Sequence, residues 1–299
     1  MKKYELTNRV ENYQGHTLHQ IKRLSDGELG GFIESENNLS QEGDCWIEPG
    51  AYVYEYAKIK DNAKIRGGAV ISGYALIKNN ASVSGDVRIS GRTLITDKAQ
   101  VYGQAKIFGY ARVFDKAQVY GNAMIYQNAD IHGNATVSGQ AEVYGMSEIT
   151  GHAKVCNKAK VFSKAKVFEN AKIRGNARVF DMAQIYGNAE ITENAKVYGR
   201  ARVSQEVLVF GNANVFEKAD IRGNAKIYDN AIVAGETNIS GNAQVFEDCK
   251  LTGENIIIEG NAKVHKDVII DGSEHYFIKD DEDIVDIKTE NLESDYEID

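Results

Sequence analysis

The sequence predicts an all-β fold, a single parallel β-helix of six-residue repeats, and three observations carry that expectation. Stepping by six from Val53 to Leu251 meets Val, Ile or Leu at all 34 positions. Stepping by six from Ala51 to Cys249 meets Ala at 28 of 34 positions, the exceptions being Val87, Thr93, Ser147, Val207, Thr237 and Cys249. The third is a single proline, Pro49, in 299 residues. A chain this poor in proline reads as one whose backbone N–H groups are needed in hydrogen-bonded ladders.

The repeating unit is A-x-[VI]-x-G-N, as in Ala123–Asn128 (AMIYQN) and Ala225–Asn230 (AKIYDN). Residues two apart point to one face of an extended segment, so Ala and Val/Ile share the inner face. Gly and Asn follow because a tight corner needs positive φ. A three-residue strand cannot bury anything alone, whereas stacked coils bury a continuous interior. Six residues are too few for a helical repeat, and no window keeps a 3.6-residue period.

Cys45/Ile47 before this run, and Ile256/Ile258, Ala262/Val264 and Val268/Ile270 after it, bring the count to about 38 hexads. Between Cys249 and Ile256 the step is seven, a slip of one residue. The expected organisation is an N-terminal cap over 1–43, the β-helix over 44–271, and a C-terminal cap and acidic tail over 272–299. The ends of a stacked sheet need covering, because open edges recruit other chains. In the first segment Thr17–Leu24 reads as a strand and Gly27–Gly31 as a turn, with Phe32 and Trp46 bulky enough to seal an end. At the other end Tyr276, Phe277 and Ile278 are suited to cover the last coil.

The formal charge of −8 is uneven. Residues 272–299 hold eleven Asp/Glu against Lys279 and Lys288, so the preceding 271 residues sum to about +1. The tail reads as a solubilising or partner-binding segment. No apolar run approaches the roughly 20 residues of a membrane helix, and the N-terminus has no apolar signal-peptide region. Cys45, Cys156 and Cys249 lie about a hundred residues apart without a C-x-x-C pair. That usage suits a reducing cytoplasm and argues against a structural zinc site, so neither metal nor membrane partner is expected.

The segment Gly27–Ile47, GELGGFIESENNLSQEGDCWI, carries Gly30-Gly31-Phe32, Asn37–Gln41 and Gly43–Trp46 ahead of Ala-x-Val hexads. In this it resembles the YdcK-like hexapeptide-repeat family of bacterial and phage proteins, within the trimeric hexapeptide-acyltransferase-like superfamily. The resemblance implies triangular coils of three hexads, 18 residues each, wound left-handed, hence about 12–13 coils. It also implies an acyl-CoA-dependent O- or N-acyltransferase alternative, acting as a homotrimer with a histidine as general base.

With 18-residue coils, residues 18 apart stack. One outward column reads Phe108, Tyr126, Tyr144, Phe162, Phe180, Tyr198, Phe216, and two residues earlier run Lys106, Met124, Glu142, Lys160, Arg178, Lys196, Asn214. The other columns are mixed: Phe114, His132, Thr150, Phe168, Tyr186, and Tyr102, Tyr120, Ser138, Cys156, Arg174. The candidate binding face is therefore the aromatic ladder bordered by Lys106, Lys160, Arg178 and Lys196. Such a strip suits a protein partner or self-association, a glycan, or a nucleic-acid strand with stacked bases, or serves only to stabilise the sheet. A near-neutral body speaks against nucleic acid.

No nucleophile elbow, phosphate loop or dinucleotide fingerprint is present, and 34 unbroken hexads leave no inserted loop in which to build an active site. No catalytic residue is assigned. The acyltransferase alternative would use His132 or His152, the two histidines inside the repeat run. The expected function is a non-enzymatic, rigid binding or scaffold protein without a cofactor, acyl-CoA belonging to the alternative alone.

Overall fold

The computed structural model describes residues 2–271, 275–279 and 281–285. Most of the acidic tail expected over 280–299 lies outside the described residues. The chain divides into two compact units, Met1–His152 and Ala153–Asp299. Each is a parallel β-solenoid with essentially no helix, and together they comprise about 14 turns.

The N-terminal unit opens with β1 (Tyr4–Tyr13) and β2 (His16–Arg23), which pair antiparallel through a two-residue turn at Gln14–Gly15. Both turn residues have positive φ, as the favoured hairpin turn requires. β3 (Leu29–Ile33) pairs antiparallel with β2 and parallel with Tyr52–Val53. From there the chain coils. Tyr52–Val53 pairs with Val70–Ile71, and the same parallel step of 18 residues carries Lys106–Ile107 to Met124–Ile125 and on to Glu142–Val143. Two further sheets repeat the step, one through Lys58–Ile59 and Leu76–Ile77 and one through Trp46–Ile47 and Lys64–Ile65. In the C-terminal unit the pairs Lys160↔Arg178, Lys154↔Lys172 and Lys166↔Gln184 open three such sheets.

The interior is what the hexads predict. The Val, Ile and Leu positions are buried throughout, as are the alanines between them. β-branched side chains fill the interior beside the close-approaching alanines, and each coil gives its neighbour backbone hydrogen bonds such as Lys106 N to Ala123 O at 2.9 Å.

Every corner from Glu55 to Glu247 places the fifth hexad residue in the left-handed region, and fifteen of these corners are not glycine. A side chain there costs about 1–2 kcal/mol. Acidic and amide side chains offset this by accepting the otherwise unused amide N–H one coil on. Glu193 accepts from Gly211 N at 3.0 Å, Asp181 from Gly199 N at 3.2 Å and Glu217 from Gly235 N at 2.8 Å. Next to them Asn176, Asn194, Asn212 and Asn230 form an amide ladder at 3.0–3.2 Å.

The turn count of about 14 exceeds the expected 12–13 because strands without the Ala-x-Val signature join both ends. β3 enters the first coil although Gly27–Gly31 reads as a turn: only Gly27 has positive φ, and the chain is extended from Leu29. Tyr276–Ile278 and Asp283–Val285 add parallel strands to Ile256–Ile258 and Lys263–His265. The seven-residue step is absorbed at 253–255, with Asn255 at φ 61°, and the pairing resumes as Asn238↔Ile257. β1 has no clear sequence signature, and its pairing with β2 slips between Leu6 and Val10.

The segment that carries the family resemblance has structural work. Tyr4 donates from its hydroxyl to Leu39 O at 2.7 Å, and burial holds its phenol well above its usual range. Gln41 accepts from Lys3 N at 2.8 Å, and buried Asn38 donates to Glu55 O and Ala57 O, both at 2.9 Å. Trp46 is buried beneath the Arg23 guanidinium, 4.3 Å from the ring. These residues tie the β1–β2 hairpin to the first coil.

Candidate functional site

In the N-terminal unit the expected face brings together Lys106, Phe108, Tyr126 and Tyr144. The rings stack face to face, Phe108 on Tyr126 at 4.9 Å and Tyr126 on Tyr144 at 4.7 Å, both within 6° of parallel. The C-terminal unit assembles Phe162, Phe180, Tyr198 and Phe216 at 4.7–4.8 Å, within 4° of parallel. Beside them Lys160, Arg178 and Lys196 stack on adjacent strands.

This geometry decides what the ladders can bind. A base or sugar ring inserted between two others needs them roughly 7 Å apart, twice the carbon–carbon contact distance of about 3.5 Å. At 4.7–4.9 Å the interior rings are closed to insertion and offer a partner their edges. Stacking also seals the phenols. The Tyr126 hydroxyl is raised to about 12 by burial first, then by Glu142, whose carboxylate it meets at 3.3 Å. Tyr198 is raised by burial, Glu217 and Asp181. Alkaline titration followed by phenolate absorbance is expected to show a tyrosine ionising near 12, lost in Tyr126→Phe. Because the folded phenol binds its proton more tightly than an unfolded one near 10, its stabilising share is present below pH 10 and vanishes as pH rises toward 12.

Like charges opposed across strands repel. Among the described residues Arg178 and Lys196 make no ion pair, although the surrounding carboxylates Asp181 and Glu193 are committed to backbone amides. Charge is also banded along the chain. Residues 153–202 hold eleven Lys/Arg against four Asp/Glu, a balance of +7, whereas 203–271 balance at −5. In the N-terminal unit 1–55 balance at −5, 56–116 at +7 and 117–152 at −3. A whole-body sum near zero conceals these bands, and only a sliding count finds them.

The histidines do not assemble. His132 stacks on Phe114 at 4.6 Å, with Nε2 against Glu148 at 3.1 Å and Nδ1 against the Thr150 hydroxyl at 3.1 Å. Both ring nitrogens therefore have partners within the chain. His152 is exposed on a corner and is not among the contacts of His132. Among the described residues no cluster of three or more His, Cys, Asp or Glu could hold a metal. An open cavity of about 440 Å³ in the C-terminal unit is lined by charges of both signs, including the Lys218–Glu236 ion pair. No helix of the described residues is long and apolar enough to cross a membrane, which says nothing of β-barrels.

Two aromatic arrays escaped the sequence reading. One is Phe210, Tyr228, Phe246 and His265, stacked at 4.7–4.8 Å in the C-terminal unit. Its column reads as mixed because the preceding members are Cys156, Arg174 and Thr192. The other lies on a corner, not a face: Tyr56 stacks on Tyr74 at 4.7 Å, and the Arg92 guanidinium sits 5.3 Å from Tyr74 and 5.9 Å from Tyr110.

The fold and these faces define the class, a β-solenoid repeat protein. The family model of the YdcK beta solenoid repeat matches residues 117–133, just under one coil. No curated protein matches the chain.

Proposed function

We propose that the chain is a YdcK-like, non-enzymatic scaffold that binds an acidic segment of a protein partner on the aromatic–basic face of its C-terminal unit. The observation that carries this reading is the column Lys160–Arg178–Lys196 beside Phe162, Phe180 and Tyr198. Arg178 and Lys196, stacked on adjacent strands with no ion pair among the described residues, repel until an anion arrives, and ring edges supply apolar contact beside them. A rigid strip also loses little conformational entropy on binding. Pairing of this face with itself about a two-fold axis would bring like charges together, which favours a different partner over self-association. The acyltransferase alternative, a trimer using acyl-CoA with His132 or His152 as base, has less support because both His132 nitrogens already have partners.

Anisotropy of a fluorescein-labelled oligoglutamate tests the reading. Arg178→Glu with Lys196→Glu is expected to weaken binding by roughly tenfold or more, since paired reversals turn attraction into repulsion. Reversing Lys58 and Lys78 in the N-terminal unit should change it less than about twofold at physiological salt. Equal losses from both pairs, or no binding by the parent protein, would overturn the assignment of this face.

A further inference from the structure

We infer that the aromatic–basic face of the C-terminal unit is held by the chain's own acidic tail, residues 286–299, which an incoming acidic segment must displace. This autoinhibitory contact rests on the reading above that the face receives acidic segments. Residues 286–299 follow the strand Asp283–Val285 and lie outside the described residues. They hold six Asp/Glu against Lys288, a balance of −5.

The face complements that charge. Over its six coils from Lys160 to Thr252 the outward strand positions carry four cations, Lys160, Arg178, Lys196 and Lys250, and no carboxylate. Around the first three, the flanking corners add Lys158, Lys164 and Arg200 against Asp181 and Glu193. Those two carboxylates keep their charge while they accept backbone amides, and the local balance is still +4. Counted the same way, the two other sheets of these coils balance at +1 each. The ladder Phe210–Tyr228–Phe246 balances at −3, with Lys226 against Glu206, Asp229, Glu247 and Asp248.

The tail's pattern also fits the two columns of the face. From Leu292 to Asp299, LESDYEID, carboxylates alternate with Leu292, Ser294, Tyr296 and Ile298. Laid extended, such a segment turns its acids to one side and its apolar residues to the other. The cation column and the ring column run side by side, two residues apart on each strand, and receive those two sides. Eight extended residues cover about 24 Å, as do the five coil steps from Lys160 to Lys250 at about 4.8 Å each. Residues 286–291 reach about 20 Å, more than the two coil steps, about 10 Å, between Val285 and Lys250. Tethering raises the tail's local concentration to the order of millimolar, so a weak contact suffices.

Anisotropy of fluorescein-labelled oligoglutamate on the full chain, with carbodiimide cross-linking, tests this contact. Glu293→Gln, Asp295→Asn and Glu297→Gln in one chain should tighten oligoglutamate binding by roughly threefold or more, an effect that shrinks as salt rises. Leu292→Ser with Tyr296→Ser keeps the charge and should tighten binding by about twofold or more, which repulsion from an undocked tail would not do. In the monomeric fraction of the parent protein, carbodiimide should join tail carboxylates to Lys196 and Lys250 in preference to Lys226 and Lys263. Equal binding by all three chains would overturn the inference and leave the reading of the face intact, whereas no binding by any of them would overturn that reading. Cross-links confined to Lys263 and Lys266 would overturn the inference by placing the tail on the last coil. Cross-links at Lys196 without oligoglutamate binding would keep the tail on the face and exclude an outside acidic partner.

Discussion

Gly31→Val is expected to destabilise the N-terminal unit by about 3 kcal/mol or more, the upper end of what overpacking costs. A Cβ at Gly31 would lie 2.5 Å from Ala51 O, 2.7 Å from Glu48 O and 2.6 Å from the Ile47 side chain. Two of those three atoms are backbone oxygens of the first coil, Ala51 O held in a ladder hydrogen bond and Glu48 O in a turn, and neither can swing aside without breaking it. Phe32 N donates to Ala51 O at 2.9 Å, so relief of the clash breaks the bond that joins β3 to the coil. Gly30 is equally confined, its Cβ position falling 2.6 Å from Ile47 O and 2.6 Å from the Ile21 side chain. The Gly-Gly-Phe element is thus a packing requirement, two missing Cβ atoms where three layers of chain meet. Urea unfolding of Gly31→Val, followed by circular dichroism, checks it; an unchanged midpoint would show that the entry strand does not pack as described.

Ile125→Ala is the second large effect, an expected loss of about 2–5 kcal/mol against no more than about 1.5 for Ile125→Val. Ile125 is fully buried between Ile107 and Val143 on the paired strands, with Ala123 beside it. Its interior neighbours belong to a regular stack that cannot collapse around a void without breaking ladder bonds on both sides. Stability in such arrays is nearest-neighbour in character. Hydrogen exchange should therefore accelerate most in the coils of Ile107 and Val143, and an even acceleration over the whole unit would contradict that picture.

How the sequence announces this fold is clear from particular residues. Val53 to Leu251 at a step of six specify both the interior and the strand positions, because only a corner every six residues keeps them all inside. The coil length follows once Lys106 meets Met124 and Met124 meets Glu142. β1 is not legible because a hairpin packed on one side carries no strict alternation, and Glu5, Arg9 and Glu11 look like loop residues. Leu29–Ile33 hides behind its glycines, which read as a turn but serve close approach.

The candidate faces were legible as columns and not as surfaces. Phe162, Phe180 and Tyr198 are aligned as the 18-residue spacing implies, yet only their 4.7–4.8 Å separation reveals that the ring faces are spent on each other. Tyr56, Tyr74 and Tyr110 occupy the hexad position where asparagine is commonest, so a search along core-adjacent columns passes over them. The cationic bands were invisible for a different reason: +7 and −5 in successive stretches cancel in any total. His132 looks like a free mid-repeat histidine in sequence, and its engagement depends on Glu148 and Thr150, which lie one coil away.

The proposed function places partner binding on the cationic–aromatic face of Arg178, Phe180, Lys196 and Tyr198, against the alternative of an acyl-CoA site at His132. A thermal-shift comparison of oligoglutamate with acetyl-CoA tests that most directly, because any ligand of the native state raises its stability by mass action. Oligoglutamate is expected to raise the unfolding midpoint of the parent protein, that rise to disappear in Arg178→Glu with Lys196→Glu, and acetyl-CoA to leave the midpoint where it was. A rise with acetyl-CoA that is lost in His132→Ala, with no response to oligoglutamate, would contradict it.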